Sequence, residues 1–304
     1  MIDVQDYHFP AGWTAAIEAE KRAVWYCEQL EAGEIIFFEH IPFNLPKENR
    51  EFLLSQRQTN SRLHKNLSYR PKKNLLRGVS ASSKKDLNRL REIMQSYSTE
   101  VTKFLSEFLA PYAENLSLDF ASFRPLEEKG RDLPLHKRND LLHVDSFPTR
   151  PTNGARILRV FTNINPTESR IWNTTGRFET LAERFADEAG LNNFASSNFF
   201  QRLLQTANKA GLPVAAYSPY DRFMLRFHDF LKENDEFQIG CEKIRLEFPP
   251  LSTWIVFTDG VPHAVLSGQF ALEHTYIVPL KGLVASEKSP IRLLEALCKK
   301  PLSI

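Results

Sequence analysis

A mixed α+β fold, helical in its first third and built on antiparallel strands thereafter, is what the 304-residue sequence predicts. Three observations carry this. Between Ser83 and Tyr112, the residues Leu87, Leu90, Met94, Tyr97, Val101, Phe104, Leu105 and Phe108 recur at the spacing of a long amphipathic helix. From Leu116 onward the texture changes to short runs rich in Phe, Val and Ile, bounded by Pro and Gly, which read as strands. There is no βαβ rhythm and no Gly-rich phosphate loop, so an antiparallel barrel or sandwich is favoured over a doubly wound sheet. The expected architecture is a double-stranded β-helix, a cupin-like jelly roll, with N-terminal helices packed outside it. One domain is expected over 1–304: a mainly helical part to 112, the β core with helical insertions over 113–285, and a C-terminal helix over 286–304.

Taken in order, residues 14–32 read as a helix opened by Thr14 as N-cap and stopped by Gly33. EIIFFE follows as a strand. Leu45 to Gln58 predicts a second helix with Pro46 in its first turn, where a missing N–H costs nothing. The stripe over 83–112 is a packing face that backs the sheet or buries a partner subunit. DFASFRPLE opens the strand-rich region, with helices at Phe178 to Glu188, Ser197 to Lys209 and Pro219 to Lys232. Strands return at Phe237 to Ile239, Ile244 to Phe248, Trp254 to Phe257 and Ala271 to Val278.

An apolar share of 42% and a charged share of 25% make this an ordinary globular composition. Cys27, Cys241 and Cys298 are widely spaced without a C-x-x-C, which argues against a disulfide framework or a thiolate zinc site and suits a reducing cytoplasm. Neither a signal peptide nor an apolar stretch of bilayer-spanning length is read, so a soluble or peripheral protein is expected. Between Arg57 and Arg91 eleven Lys or Arg residues face one acid, Asp86, although the whole chain nets only +2. Such a stretch attracts anions. With only Tyr69 among its cations it lacks the aromatic platform of a single-strand binder, so nucleic acid is not the expected partner. No nucleophile elbow or P-loop pattern occurs, which removes the commonest hydrolase and kinase readings.

The chemistry-bearing residues gather around Leu141 to Trp172. His143 and Asp145 form a His-x-Asp pair. On an extended strand residues i and i+2 point to one side, about 6 to 7 Å of backbone apart, so the imidazole and the carboxylate converge. A second histidine, His263, follows an apolar strand and an Asp-Gly-Val-Pro turn. Two histidines and a carboxylate on one face of an ion, with the other positions open, form the site type of non-haem Fe(II) oxygenases. The tripeptide alone is a weak signal, because a lone histidine near a strand is more often a hydrogen-bonded structural residue. Arg159, in the apolar run Ile157 to Phe161, strengthens the metal reading, because a guanidinium there is costly unless it meets an anion such as a dicarboxylate, or a structural acid. His228-Asp229 falls in a helix where neighbours diverge, which suits a structural or substrate contact better than a shared metal. His136 and Asp140 fall in a loop, and Asp259 is expected to cap its own turn.

SFRP at 122–125, HVDSFPTRPT at 143–152, RILRVFTNINP at 156–166, YDRFMLRFHDFLK at 220–232 and TDGVPHAVLSGQFALEHT at 258–275 together resemble the 3-deoxy-D-manno-oct-2-ulosonic acid (Kdo) 3-hydroxylase family. The resemblance implies an Fe(II)- and 2-oxoglutarate-dependent dioxygenase that hydroxylates C3 of Kdo in the lipopolysaccharide inner core, with O2 as the other cosubstrate. It implies His143, Asp145 and His263 as iron ligands. Arg159 leads the candidates for gripping the far carboxylate of 2-oxoglutarate, with Arg124 and Asn163 as further cosubstrate contacts. One departure matters: many members of the wider superfamily carry that arginine shortly after the distal histidine, and here no Arg or Lys lies between His263 and Lys281. Arg159 must then act from the other strand, or Arg124 or His274 must share the task. Arg70 and Arg77 are candidates for the sugar carboxylate or the lipid A phosphates. The implied partner is a Kdo-bearing lipid A precursor met at the cytoplasmic face of the inner membrane, with the C-terminal segment 290–300 as a further amphipathic contact or a packing element. The alternatives are a 2-oxoglutarate oxygenase for a protein or nucleotide, and a non-catalytic β-barrel carbohydrate-binding protein.

Overall fold

The computed structural model describes residues 1–6, 15–56, 66–78, 83–196 and 217–303. In chain order they form β1 (Ile2–Asp3), α1 (Ala15–Glu31), β2 (Ile36–Phe38), α2 (Lys47–Ser55), β3 (Leu67–Arg70), β4 (Leu75–Arg77), α3 (Lys84–Phe108), β5 (Ser117–Arg124), β6 (Arg156–Asn163), β7 (Arg170–Thr174), α4 (Phe178–Phe185) and α5 (Leu191–Phe194). Then come α6 (Pro219–Glu233), α7 (Asp235–Gly240), β8 (Ile244–Phe248), β9 (Thr253–Phe257), β10 (His263–Ser267), β11 (Ala271–Val278) and α8 (Pro290–Cys298). The strands make an eight-stranded sheet in the order β1-β2-β9-β6-β11-β5-β3-β4 and a three-stranded sheet in the order β10-β7-β8. All pairings are antiparallel except β1 with β2.

Side-chain alternation divides the large sheet into two faces. Leu158, Val160, Leu272 and Tyr276 join Leu90, Met94, Tyr97, Val101 and Leu105 of α3 in one core, so the stripe of α3 backs the sheet. Phe161 and Val256 point the other way and meet Trp172, Leu246 and Phe248 of the small sheet. A third core joins α4, α6 and α8.

Most element boundaries fall close to the sequence reading, and the exceptions have physical causes. Ser83 caps α3, its hydroxyl accepting from Asp86 N at 3.1 Å, but the helix stops at Phe108 rather than Tyr112, because Pro111 has no N–H to continue it. Pro46 precedes α2 as its N-cap residue. Gly33 ends α1 with φ of 90°. The strand expected at Phe237 to Ile239 is instead the helical turn α7: the Asn234 side chain accepts from Phe237 N at 2.9 Å, and Phe237 alone is buried. A short apolar run does not by itself separate the two states. Thr14 and the helix expected over Ser197 to Lys209 lie outside the described residues, as do 57–65 and 79–82 of the basic stretch. The C-terminal helix α8 packs Ile291, Leu294 and Cys298 into the third core, the packing alternative for that segment. All three cysteines are free thiols.

His274 faces α3, on the far side of the sheet from the cavity described below. Its Nδ1 donates to Thr275 O at 3.1 Å, and Ser98 Oγ lies 2.7 Å from Nε2, to which it donates. Burial holds this imidazole down at about 4. The unfolded chain, with a histidine near its usual pKa of about 6.5, then takes up a proton that the folded state refuses. Stability present above about pH 6.5 is therefore lost as pH falls toward about 4. Thermal melts at neutral pH and at about pH 4.5 are expected to differ by roughly several degrees, and His274→Gln to reduce that difference.

Candidate active site

Leu142 and Val144 are buried in the core of α4, α6 and α8, and this alternation turns His143 and Asp145 together toward the opposite side. Burying each apolar side chain contributes about 1.5–3 kcal/mol, which pins the segment without a full ladder. The strand expected here is an isolated bridge whose partner is His263, the first residue of β10. His143 N donates to His263 O at 3.1 Å and His263 N to His143 O at 2.9 Å, so the two histidines sit directly opposite one another. Asp145 N donates to Thr258 O at 2.8 Å.

Each imidazole is oriented by the carbonyl two residues upstream. His143 Nδ1 lies 2.7 Å from Leu141 O, and His263 Nδ1 lies 2.8 Å from Val261 O. A carbonyl only accepts, so Nδ1 carries the proton and Nε2 offers its lone pair. Both Nε2 atoms face Asp145, at 3.9 Å from Oδ1 and 4.0 Å from Oδ2. One ligand atom from each of the three residues lies within 4.8 Å of the others. Burial, then the neighbouring His263, Lys232 and His228, keep the His143 imidazole well below its usual range, and burial lowers His263 as well. Burial alone would raise Asp145, but Arg159 beside it, with the two histidines, holds it far below the usual carboxylate range. Two neutral imidazoles and one carboxylate, convergent and buried, fit a divalent iron.

Arg159 is charge-balanced by two carboxylates, with NH2 3.2 Å from Asp145 Oδ2 and NH1 3.1 Å from Glu273 Oε1. Glu273 also accepts from Arg124 Nε at 2.7 Å. It is held low against burial by Arg124 and Arg159. Behind them Glu128 lies 3.9 Å from Arg124 NH1 and 3.6 Å from Arg170 NH2. Burial lowers Arg170 to about 10, which still leaves it charged at neutral pH. Gly268 is required at this corner: its φ is 126°, and an added Cβ would lie 2.9 Å from the Arg170 Cα. Glu273, Glu128 and Arg170 escaped the sequence reading. The signal was present, because an acid in the apolar strand ALEHTYIV carries the same burial cost that singled out Arg159.

These groups meet in a cavity of about 250 Å³ between the two sheets, lined by the triad with Arg124, Arg159, Arg170 and Trp172, and closed on one side by His228 and Lys232 of α6. The His228 ring stands edge-on to His143 at 4.9 Å, and its Nδ1 donates to Val144 O at 2.8 Å. Asp259 does not cap its own turn. It accepts from Arg156 Nε at 2.8 Å and from Ile157 N at 3.2 Å, locking the turn that delivers His263 onto β6.

The remaining candidates separate by strand register. Ser122 opposite both Ser68 and Glu273, and Ser68 opposite Arg77, put Arg70 and Arg77 on the face that carries Arg124 and Arg159. Arg70 lies over the Phe120 ring at 4.6 Å, while Arg77 is exposed at the sheet edge. Asn163 lies outside the cavity lining. Its buried amide donates to Glu168 O at 2.9 Å and Phe248 O at 3.0 Å, which consumes its donors in holding loop backbone. His274, on the opposite face, does not reach the cavity.

Comparison with known proteins follows the same lines. The family model described as 3-deoxy-D-manno-oct-2-ulosonic acid (Kdo) hydroxylase matches residues 12–301. A crystal structure of the Kdo hydroxylase KdoO, a non-heme Fe(II) α-ketoglutarate-dependent dioxygenase in complex with α-ketoglutarate and Fe(III), is 35% identical, with 93% of this chain and 92% of that one covered and a TM-score of 0.80. The cobalt(II) complex of KdoO is 34% identical over 99% of this chain and 97% of the other, with a TM-score of 0.82. The complex with succinate and Fe(III) is likewise 34% identical over 99% and 97%, with a TM-score of 0.81. No curated protein sequence matches. A family match spanning nearly the whole chain, together with relatives of this identity and coverage, establishes that the chain belongs to the Kdo hydroxylase family.

Proposed function

We propose that this protein is an Fe(II)- and 2-oxoglutarate-dependent dioxygenase that hydroxylates C3 of Kdo in the lipopolysaccharide inner core, turning Kdo-lipid A into its 3-hydroxylated form. The observation that carries the reading is the convergence of His143, Asp145 and His263 on one cavity wall beside the buried Arg159. When bound, iron with 2-oxoglutarate and O2 supplies the oxidant for an unactivated C–H bond, and the keto acid leaves as succinate and CO2. The chain does the positioning. Two Nε2 lone pairs and the Asp145 carboxylate would hold the ion, three donors that leave room for the cosubstrates. Arg159 takes the far carboxylate of 2-oxoglutarate, with Arg124 aligned beside it by the shared Glu273. Lys232, 3% exposed and donating to His136 O at 3.1 Å, adds positive charge on the α6 wall.

The large and small sheets on either side of this cavity are read as the two layers of a double-stranded β-helix, and the chain as one oxygenase domain. Mass spectrometry of the lipopolysaccharide core from cells with and without the protein tests the reaction. The expected result is a gain of one oxygen atom on Kdo, accompanied in vitro by succinate. A carbohydrate-binding protein without catalysis would give neither.

Because a sugar acid on a phosphorylated lipid stays in the bilayer, the enzyme must approach that surface. Among the described residues no helix is long and apolar enough to cross a membrane. Lys72 and Lys73 between β3 and β4, and Lys84 and Lys85 opening α3, are all exposed, and each cation near an anionic leaflet is worth about 1 kcal/mol. Reversing these four to Glu is expected to weaken co-sedimentation with anionic vesicles. The fold should tolerate it, since acids at a helix N-terminus suit its dipole. Unchanged sedimentation would remove the membrane contact.

A further inference from the structure

We infer that Arg150, seated between Phe120 and Phe147 and tethered to Asp119, takes the carboxylate of the sugar acid, with Arg70 as its partner across Phe120. This rests on the proposed function. Arg150 lies in the loop that leaves Asp145, and its guanidinium carbon is 4.1 Å from the Phe120 ring centre and 4.2 Å from that of Phe147. The same Phe120 ring carries Arg70 at 4.6 Å, and the Phe147 ring carries Arg159 at 5.8 Å. Contacts therefore run outward from the metal ligand Asp145 through Arg159, Phe147 and Arg150 to Phe120 and Arg70. Arg150 is the first guanidinium outside the group that Asp145 and Glu273 already engage.

The charges around Phe120 do not balance. Asp119 pairs with Arg150, while Arg70 makes no ion pair among the described residues and its buried Nε has no hydrogen-bond partner. Two guanidiniums thus flank Phe120, and the one carboxylate there pairs with Arg150. Burial, with a smaller contribution from the neighbouring Arg159 and Arg70, pushes Arg150 down despite its pairing with Asp119. Arg150 is 35% exposed, so an edge of its fork remains open to a ligand. The loop itself is anchored. Tyr217 Oη donates to Pro148 O at 2.7 Å, and Asp221 in the capping box of α6 accepts from Thr152 N at 2.7 Å and Asn153 N at 3.1 Å.

A planar cation held between aromatic rings is oriented for bidentate recognition of a carboxylate. In Kdo the carboxylate is attached to C2, adjacent to the CH2 that reacts. The group that holds it must therefore stand one layer out from the metal, where Arg150 does. The lipid A phosphates lie at least one sugar further away. Asp119 holds Arg150 in place until the sugar carboxylate competes for it.

The test uses iron- and 2-oxoglutarate-loaded protein with Kdo-lipid A, with its Kdo methyl ester, and with a form stripped of lipid A phosphates. Arg150→Gln should raise KM for Kdo-lipid A roughly ten- to a hundredfold and KM for 2-oxoglutarate far less. The methyl ester should weaken the unsubstituted enzyme comparably, with little added loss in Arg150→Gln. The penalty should persist without the phosphates. Asp119→Asn, which removes the competing carboxylate, should lower KM. Unchanged KM in Arg150→Gln, equal losses on acid and ester, or a penalty that vanishes with the phosphates would each overturn the assignment. An Asp119→Asn enzyme as impaired as Arg150→Gln would make the pair structural and overturn it as well. Absence of hydroxylated product from the unsubstituted enzyme would instead sink the proposed function and this inference with it.

Discussion

Alanine at His143, Asp145 or His263 is expected to abolish turnover and to strip iron from the purified protein. Each residue supplies one of three convergent donors, and a two-donor remnant has neither the count nor the geometry of the site. Asp145→Asn separates charge from shape. It keeps the outline of the side chain but loses the anion that faces two neutral imidazoles and Arg159, so iron binding is expected to fail there too. The checks are metal content after reconstitution and succinate formation. Full activity in any one of these variants would take that residue out of the site.

Arg159→Ala is expected to raise KM for 2-oxoglutarate by roughly ten- to a hundredfold, the worth of a charge-assisted pair at about 1.5–3 kcal/mol, with a much smaller effect on KM for the sugar. The fold should survive, since Glu273 keeps Arg124 as a partner at 2.7 Å. Arg124→Ala is the internal comparison. If 2-oxoglutarate affinity is unaltered by Arg159→Ala and lost in Arg124→Ala, the grip belongs to Arg124, and Arg159 only balances Asp145 and Glu273.

Buried charge was legible in the sequence where apolar neighbours surround it, and illegible where its partner comes from elsewhere in the chain. Arg159 stood out among Ile157, Leu158, Val160 and Phe161, but its pairing with Glu273 depends on the register of β6 against β11, where Thr275 lies opposite Arg159. Asn163, two turns of the alternation further along the same strand, was a further candidate for a cosubstrate contact. Its amide is instead spent on the carbonyls of Glu168 and Phe248, partners that only the chain's return path supplies. His274 was the other candidate to share that carboxylate, and the alternation of β11 turns it toward α3 instead, which one strand read alone does not reveal. Arg150 gave no signal in an ordinary Thr-Arg-Pro loop; its aromatic seat is assembled from β5 and the loop itself.

By itself the sequence determined the helical stripe of α3, most of the strands and the triad of ligand types. These follow from periodicity and from donor chemistry, both local properties of the chain. Only the tertiary structure decided that His143 and His263 face one another across a single bridge, that Val144 anchors the segment between His143 and Asp145 in a helical core, and that three carboxylates hold Arg124, Arg159 and Arg170 at one cavity. Those outcomes depend on pairing register and on contacts far apart in sequence. In a low-dielectric interior a charge is tolerated only where the rest of the fold brings its counter-charge.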